Sequence, residues 1–350
     1  MEFVGDGAAL LTGSAYVRGW ERCRSELAED ALVSDGSLAG LGQAESNNLL
    51  LMEGEPHQTL RRLVRSHLTK AHLDAVLVRL EAVADELLQS VLTDPDADLV
   101  TGLAEPLVLE AIMSVLGIPA DRRARLGELT RKMLGLLEPD LPPDRRRVAV
   151  NAGMRATLLF ERDAKAGRAA GFHAALEAAA EAGEIPVKTA RSTPVVMLHG
   201  GYENPLNQLG CLVAWAVENP ERFAGVAEEA PAVLVEEVLR VYSPVRLVAR
   251  WAAADGEGFR RGQFAWVDLE SANLDGDRFA QPHDLDFSRK RGHMSFGHGR
   301  HVCPGAALAR LEGRALIAAL RRIPPDVLGG FTTTWRDGVV ARGPLTIARR

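Results

Sequence analysis

The chain has 350 residues, a formal net charge of −6 and 47% hydrophobic residues. This length and apolar content suffice for a large buried core, and the negative balance argues against a general role in binding nucleic acid. The sequence has no run of about eighteen apolar residues that could cross a membrane, and its N-terminus has no positive region before an apolar run, as a secretory signal would. Three cysteines make no disulfide framework, which is consistent with a reducing compartment. We therefore expect a soluble, cytoplasmic protein.

The first half of the chain is predicted to be mostly helical. Residues 8–13 have the pattern of a short strand, residues 15–31 that of a helix, and residues 34–48 are loop-like and rich in Gly and Ser. Further helical patterns begin at about Pro56 and then cover 73–92, 103–116, 121–137 and, after the prolines at 139–143, a helical pair within 145–182.

The second half adds short strands to the helical pattern. A long helix is predicted over 193–217 and another over 231–241, with strands near 245–251 and 263–267. The last helix should end before Pro324, and residues 332–347 have the pattern of a hairpin. Because no linker, repeat or low-complexity block interrupts this order, we expect a single, mainly α domain over 1–350.

One cysteine stands in a loop of unusual composition. Residues 296–305, here named the cysteine loop, read FGHGRHVCPG and are followed by a helix-forming stretch. Cys303 therefore precedes a helix N-terminus, whose N–H groups and dipole favour a negative sulfur. Arg300 and His301 would add positive charge, which promotes the thiolate form that binds metals. The loop therefore suits a thiolate metal ligand.

Cys303 could also be inert, bind zinc or act as a nucleophile. An isolated cysteine is most often a small buried hydrophobic residue. His301 and Cys303 could be two ligands of a zinc site, but no second pair at zinc spacing follows. A cysteine nucleophile of a hydrolase would want a different local context.

The stretch FGHGRHVCPGAALAR resembles the haem-binding loop of the cytochrome P450 superfamily. The order of predicted elements matches that fold over nearly the whole chain. The resemblance implies a large helical domain with minor β-sheets, haem b (iron protoporphyrin IX) as the cofactor, and Cys303 as the ligand of its iron. The N-terminal region is expected to be shorter than in typical members, which begin with an extra helix and strand.

A second motif fits the same family. Glu237 and Arg240 lie in EEVLRVYSPV at a spacing that puts both on one helix face. They resemble the ExxR pair of the family, which an arginine before the haem loop completes, and Arg289 is the candidate for that arginine. Such a buried ion cluster stabilises little but fixes geometry.

The resemblance also implies cationic partners for the two propionate groups of a haem. Arginine binds carboxylates through two hydrogen bonds, and histidine donates to them. Phe296 and Gly305 are expected beside the sulfur. The implied partners of the propionates are His57, Arg61, Arg250, His293 and His301.

The oxygen side departs from the family pattern. The family usually shows a small residue, Gly, any residue, an acid and then Thr or Ser, whereas this chain reads GGYEN over 200–204. The implied catalytic residues are Gly200, Glu203 and Asn204. Asn204 replaces the hydroxyl, and an amide is a poor proton relay. Pro205 lacks an N–H, so the Gly201 carbonyl should lose its helical partner and the helix should kink.

The same helix and the segment after Pro244 are expected to contact substrate. A charged residue in that segment could bind a substrate carboxylate, and Arg246 is the candidate. The predicted substrate-contacting residues are Val196, Met197, Val245, Arg246 and Leu247.

These features predict a monooxygenase that oxidises a small organic molecule in natural-product biosynthesis, with carbon hydroxylation as the default reaction. Electrons would come from NAD(P)H through a ferredoxin reductase and a ferredoxin, which would dock on the basic helix containing Arg61, Arg62, Arg65 and Lys70. The alternatives are a peroxide-using or non-hydroxylating P450 (desaturation, C–C cleavage, cyclisation or N-oxidation) and a non-catalytic haem-binding partner protein. Neither a membrane nor nucleic acid is expected as a partner.

Overall fold

A computed structural model describes residues 14–35, 48–289, 292–336 and 338–350. Helices make up most of this part of the chain. In chain order they are α1 Trp20–Ala28, α2 Gly54–Ser66, α3 Lys70–Thr93, α4 Glu105–Val115, α5 Ala120–Lys132, α6 Pro143–Lys165, α7 Gly171–Glu181, α8 Val187–Gly200, α9 Glu203–Glu218, α10 Pro220–Glu229, α11 Pro231–Tyr242, α12 Leu269–Asn273, α13 Ala306–Leu320 and α14 Pro325–Leu328.

The strands form two small sheets. They are β1 Ala15–Val17, β2 Leu32–Val33, β3 Leu247–Ala252, β4 Phe264–Asp268, β5 Phe331–Arg336 and β6 Gly343–Arg349. The first sheet has the order β1-β4-β3-β2, in which β1 is parallel to β4 and the other pairs are antiparallel. The second sheet is the antiparallel hairpin β5–β6, so the mainly α class and the C-terminal hairpin are confirmed.

The N-terminal predictions need correction. The strand predicted at 8–13 and most of the loop predicted at 34–48 lie outside the described residues. The helix predicted over 15–31 is wrong at its start, because residues Ala15–Val17 pair with β4 instead. The helix begins at Trp20, whose N–H donates to a carboxylate oxygen of Asp275 at 2.7 Å. A contact from a distant segment therefore decides this boundary.

Helix α9 forms the centre of the helical core. Its side chains are buried on nearly every side, and Leu209, Leu212 and Val213 have no exposed surface. Helices α4, α11 and α13 pack around it. In the described part of the chain, no helix combines the length and the apolar character that a membrane crossing requires.

The helix predicted over 193–217 is broken in the middle. Helix α8 ends at Gly200 and α9 begins at Glu203, so Gly201 and Tyr202 separate them. Pro205 has no N–H to donate to the carbonyl of Gly201, which interrupts the helical hydrogen bonding. A Cβ on Gly201 would lie 2.5 Å from Cδ1 of Ile112 and 2.9 Å from the Met197 carbonyl oxygen. The break therefore depends on a residue without a side chain.

A buried cation joins three segments of the core. Arg240 is 1% exposed and donates two hydrogen bonds of 2.9 Å to the carboxylate of Glu237. Its remaining donors reach the carbonyls of Asn273 at 3.1 Å, Asp284 at 2.7 Å and Pro282. Helix α11, the end of α12 and the loop at 282–284 are thus held by one guanidinium group.

Arg289 completes the predicted cluster around this cation. Its Nε lies 3.4 Å from Oε2 of Glu237. One of its terminal nitrogens donates to the carbonyls of Ala280 and Gln281. The structure therefore brings Glu237, Arg240 and Arg289 together.

Replacement of Glu237 should expose the cost of burying Arg240. In Glu237→Gln the cation keeps its carbonyl partners but loses its counterion, so the free energy of unfolding should fall by about 3–5 kcal/mol. Urea denaturation followed by far-ultraviolet circular dichroism measures this change. Glu229→Gln at the exposed end of α10 is the matched control. Equal stabilities of the two variants would contradict the role given to the cluster.

The two glycines at the helix break should respond differently to alanine. Gly201→Ala should lower the free energy of unfolding by about 1–3 kcal/mol, because the new methyl group overlaps Ile112 and a backbone carbonyl. Gly200→Ala has no heavy atom within 4 Å of the added Cβ, and the better helix propensity of alanine should make it neutral or more stable by about 0.5–1 kcal/mol. Urea denaturation of the pair gives both values, and a destabilised Gly200→Ala would be the contrary result.

Candidate functional site

A cavity of about 290 Å³ lies between the α8–α9 break and the cysteine loop; it is named here the first cavity. Residues distant in sequence meet along its walls. Among those predicted from the sequence, the structure places at this cavity Arg61, Val196, Met197, Gly200, Asn204, Val245, Arg250, Phe296, His301, Cys303 and Gly305.

The cysteine loop presents Cys303 to this cavity. The N–H of Cys303 donates to the carbonyl of Phe296 at 2.8 Å, which closes the loop on itself. Gly299 has φ +70°, and a Cβ there would lie 2.0 Å from the Leu27 carbonyl oxygen, so the loop can approach α1 only with glycine at this position. The Cys303 side chain is exposed on the cavity, two residues before the cap of α13.

The electrostatic surroundings of this thiol differ in part from those predicted. Removal from bulk water raises the pKa of Cys303, while the backbone N–H of Gly305 and the charge of Arg61 act to lower it. Arg300 does not contribute as predicted, because it pairs with Asp30 and lies 3.6 Å from Glu53. The cations that act on the thiol are therefore Arg61 of α2 and, more weakly, Arg310 of α13.

Helix α2 supplies two of the predicted cationic residues. Arg61 is buried and donates to the carbonyl of Val302 at 2.7 Å. The ring of His57 stacks on that of His301 with centroids 4.2 Å apart. Burial, with the nearby charges of His301 and Arg61, lowers the pKa of His57 to about 4. His57 is thus neutral near pH 7, and its buried Nε2 has no hydrogen-bond partner in the described structure.

Glu53 is a further member of this group that the sequence did not suggest. It accepts a hydrogen bond from Nε2 of His301 at 3.0 Å and another from the backbone N–H of Ser34 at 2.7 Å. Burial acts to raise the pKa of Glu53, but these two bonds outweigh it and the pKa is lowered. Glu53 therefore orients His301 at the cavity.

Arg250 has no such carboxylate partner. It lies half-buried on β3 and donates only to the carbonyl of its neighbour Ala249, at 2.7 Å. Burial lowers the pKa of Arg250 to about 10, so the group remains charged at neutral pH. Within the described residues, no carboxylate oxygen comes within ion-pair distance of it. In the described part of the chain, Arg250 is therefore a cation at the cavity without a paired carboxylate, although the charge of Glu53 acts on it from farther away.

The prediction that His293 meets a propionate is wrong, because the structure places it elsewhere. Its Nε2 donates to Oε2 of Glu236 at 3.2 Å, and its side chain is 4% exposed. Arg310 of α13 binds the same carboxylate at 2.6 and 3.0 Å. These partners hold the pKa of Glu236 near 2, although its burial acts to raise it. His293 therefore helps to join α11 to α13 and does not line the first cavity.

Glu203, the acid expected on the oxygen side, has a carboxylate that is already engaged. It accepts from the Gly135 N–H at 3.0 and 3.1 Å and lies 3.4 Å from His199 and 3.6 Å from Arg336. Burial acts to raise the pKa of Glu203, but these partners lower it overall. Gly200 and Asn204, by contrast, line the first cavity.

A second cavity, of about 240 Å³, adjoins the first. Leu247 and Glu203 line it, as do several apolar side chains. The two cavities share as lining residues Leu50, Asn204, Val245, Val248 and Arg250.

The structure contradicts the prediction that Arg246 contacts substrate. Its Nε donates to Glu270 at 2.7 Å, and one terminal nitrogen donates to the Gly338 carbonyl at 3.1 Å. It lines neither of the two cavities. The pairing with Glu270 holds Arg246 away from the second cavity, whereas its neighbour Leu247 lines it.

Gln208 and Glu312 are polar residues of the first cavity that were not predicted. Gln208 donates to the Ala309 carbonyl at 2.7 Å. Glu312 is fully buried, its oxygens have no hydrogen-bond partner among the described residues, and burial raises its pKa well above the ordinary value. A sequence signal exists, because Glu312 shares the apolar face of α13 with Leu308 and Leu316, where a charged residue is out of place.

The first cavity has the donors that a haem requires. A thiol faces it from one wall, and Arg61, Arg250 and His301 stand at its edge to meet two carboxylates. Arg250 lacks a counterion among the described residues, and the neighbouring His57 has an unpartnered buried nitrogen there. These residues fit iron protoporphyrin bound through Cys303.

No family model matches the chain. It is 29% identical over 311 residues to cytochrome P450 107B1 of Saccharopolyspora erythraea, covering 85% of this chain and 75% of that protein. It is 28% identical over 370 residues to 6-deoxyerythronolide B hydroxylase of the same organism, covering 98% and 90%. The structure of the cytochrome P450 PksS of Bacillus subtilis superposes with a TM-score of 0.80 at 26% identity, covering 95% and 89%.

The relatives and the solved structures each match this chain over most of its length. They share the mainly α architecture, and the relatives are named P450s, monooxygenases or hydroxylases. Together with the thiol at the first cavity, these comparisons assign the chain to the cytochrome P450 superfamily, as an oxidoreductase of the monooxygenase type.

Proposed function

We propose that this chain, as a single domain over 1–350, oxidises a small organic molecule in natural-product biosynthesis, with carbon hydroxylation as the default reaction. The observation that carries the proposal is the Cys303 thiol on a cavity edged by Arg61, Arg250 and His301. The names of the relatives support it, since they include a polyketide biosynthesis P450 and a 6-deoxyerythronolide B hydroxylase.

In this proposal the first cavity holds haem b. Cys303 ligates the iron, while Arg61, Arg250, His301 and His57 bind the propionates; Phe296 and Gly305 line the sulfur side. The bound haem supplies oxygen activation, which a thiolate ligand promotes. The contribution of the protein is to position the substrate and to control access of protons to the cavity.

The residues of the helix break would govern those protons. Gly200 leaves space beside the cavity, and Asn204 offers an amide that donates hydrogen bonds but does not relay protons. The carboxylate of Glu203 is engaged by Gly135 and Arg336. We therefore assign proton delivery to water held by the free Gly201 carbonyl and Asn204.

The residues of the helix break also support a second candidate function, in which the enzyme uses hydrogen peroxide in place of oxygen and reductant. Asn204 replaces the usual hydroxyl, and Glu203 is held by other partners, so the ordinary route for protons is weakened. A peroxide-driven reaction needs less of that route, because the oxidant arrives already reduced and protonated.

A ferredoxin and its reductase are proposed as the source of electrons. Arg62 and Arg65 are exposed on α2 and suit an acidic partner. The predicted patch is smaller than expected, because Arg61 points inward and Lys70 pairs with Asp74 at 2.6 Å. All three cysteines carry free thiols, which supports the proposal that the protein works in the cytoplasm.

The proposal predicts the spectrum of the purified protein. Reduced protein with carbon monoxide should show the red-shifted Soret band of thiolate haem, and Cys303→Ala should lose that band completely. Cys211→Ala, a buried cysteine distant from the first cavity, is the control and should keep it. Difference spectroscopy makes the measurement.

Three results would contradict the proposal. A protein without a Soret band would favour a zinc or cysteine hydrolase, and a Cys303→Ala variant with an unchanged band would exclude this sulfur as the ligand. A normal band without turnover of any tested compound, with reductant or with peroxide, would favour a non-catalytic haem protein.

Asn204→Thr should change the fraction of consumed O₂ that is released as hydrogen peroxide. A hydroxyl at this position restores a proton relay, so the fraction of consumed O₂ released as hydrogen peroxide should fall about threefold, a difference of ~0.65 kcal/mol. The assay combines an oxygen electrode with peroxide detection, using NADPH, a plant-type ferredoxin and its reductase. Asn151→Thr on the exposed face of α6 is the control. Identical peroxide fractions for Asn204→Thr and wild type would exclude Asn204 from proton handling.

A further inference from the structure

The second cavity differs in character from the first. It lies beyond Asn204 as seen from Cys303, and most of its lining is apolar, with Leu137, Trp251 and Trp266 among its walls. Cys303 lines the first cavity and not the second. The second cavity is therefore suited to hold the part of a substrate that is not oxidised.

Both acids of this cavity already accept hydrogen bonds from backbone N–H groups. Glu138 accepts from the backbone N–H groups of Val339, Val340 and Ala341, each at 2.9 Å. Glu203 accepts from Gly135 and lies beside His199 and Arg336, as described above. Neither carboxylate lies within ion-pair distance of Arg146.

The two arginines of the second cavity, Arg146 and Arg250, have no carboxylate partner among the described residues. Arg250 is shared with the first cavity and is assigned to a propionate in the proposed function. Arg146, in the first turns of α6, lines only the second cavity. One terminal nitrogen donates to the carbonyls of Glu138 and Pro139, at 2.7 and 3.2 Å.

Those two carbonyls fix the guanidinium of Arg146 without neutralising it. Across residues 14–35, 48–289, 292–336 and 338–350, no carboxylate oxygen lies within ion-pair distance of this group. A planar guanidinium held in one position with donors to spare is suited to bind a carboxylate. The neighbouring Arg147, in contrast, pairs with Asp144 at 2.9 Å.

We propose that the substrate carries an anionic group, of the carboxylate class, on an apolar body, and that Arg146 binds this group. The inference rests on the proposed function and names the substrate class of the same site. Because Arg146 lies at the second cavity and Cys303 at the first, the anion is held at one end and the opposite end extends past Asn204. Oxidation therefore falls at carbon remote from the acid.

This assignment replaces the anion-binding role predicted for Arg246. The charge of Arg246 is satisfied by Glu270, and its side chain does not face the cavity. The arginine that meets the substrate lies about one hundred residues earlier in the chain, on a different element, and only the fold brings it to the cavity.

The test compares two probes with the same alkyl chain, dodecanoate and dodecan-1-ol, on the haem-loaded full chain. Binding is followed by the shift of the Soret band and, independently, by titration calorimetry. Dodecanoate should bind about tenfold more tightly than the alcohol, the effect expected of one charge-assisted hydrogen bond of about 1.5 kcal/mol. Arg146→Gln should remove this preference while leaving the affinity for the alcohol unchanged.

Matched variants separate Arg146 from the other arginines. Arg147→Gln and Arg246→Gln should both keep the tenfold preference, and Arg146→Lys should keep part of it, because a charge remains without the planar pair of donors. The reduced carbon monoxide spectrum of each variant reports separately on the proposed haem site. A normal spectrum with altered probe affinity concerns this inference alone.

Several results would overturn the inference. These are equal affinities of wild type for the acid and the alcohol, retention of the preference in Arg146→Gln, its loss in Arg246→Gln, or the absence of calorimetric binding by both probes. If the carbon monoxide band were also missing from the wild-type protein, the proposed function would fail as well. Loss of the preference in Arg146→Gln alone, with the band intact, supports the inference.

Discussion

The buried guanidinium of Arg240 is the interaction on which the rest of the structure depends. A cation without exposure to water is costly, and this cost is offset only while Glu237 and the carbonyls of Asn273, Pro282 and Asp284 surround it. Such a cluster adds little net stability, but it permits few arrangements of its parts. The segment that enters the cysteine loop therefore starts from a fixed position on α11, and this explains how a glycine-rich loop can hold a sulfur in place.

At the α8–α9 break the backbone is interrupted, in contrast to the closed set of hydrogen bonds around Arg240. Pro205 leaves the Gly201 carbonyl free, and Gly201 permits contact with Ile112 that a larger residue would prevent. An unbroken helix would present no free polar group to the cavity. The interruption also turns Glu203 toward Gly135, so the acid serves the packing of the break. In the proposed function, water and the Asn204 amide are the groups that handle protons at this break.

Sequence patterns predict the elements and motifs whose cause is local. The ExxR pair needs only helical spacing, and the environment of Cys303 follows from glycines and a following helix. The orientation of a side chain toward a partner far away in sequence is harder to predict from these patterns. The predictions for His293 and Arg246 are wrong because each side chain finds a carboxylate, Glu236 or Glu270, that only the fold brings near. The errors therefore concern side chains whose partners lie far away in sequence.

The distribution of charge around the two cavities explains how one fold can discriminate between two acids. The two carboxylates at the second cavity are bound by backbone N–H groups or by side chains, which offsets part of their negative charge, and neither lies within ion-pair distance of Arg146. On the proposed assignment, Arg61, Arg250 and His301 serve the haem carboxylates, and Arg146 remains for the substrate. Arg61 and His301 line only the first cavity and Arg146 lines only the second, while Arg250 lies on both. A molecule anchored by its acid at Arg146 would extend past Asn204, so its free end would enter the first cavity from the oxygen side.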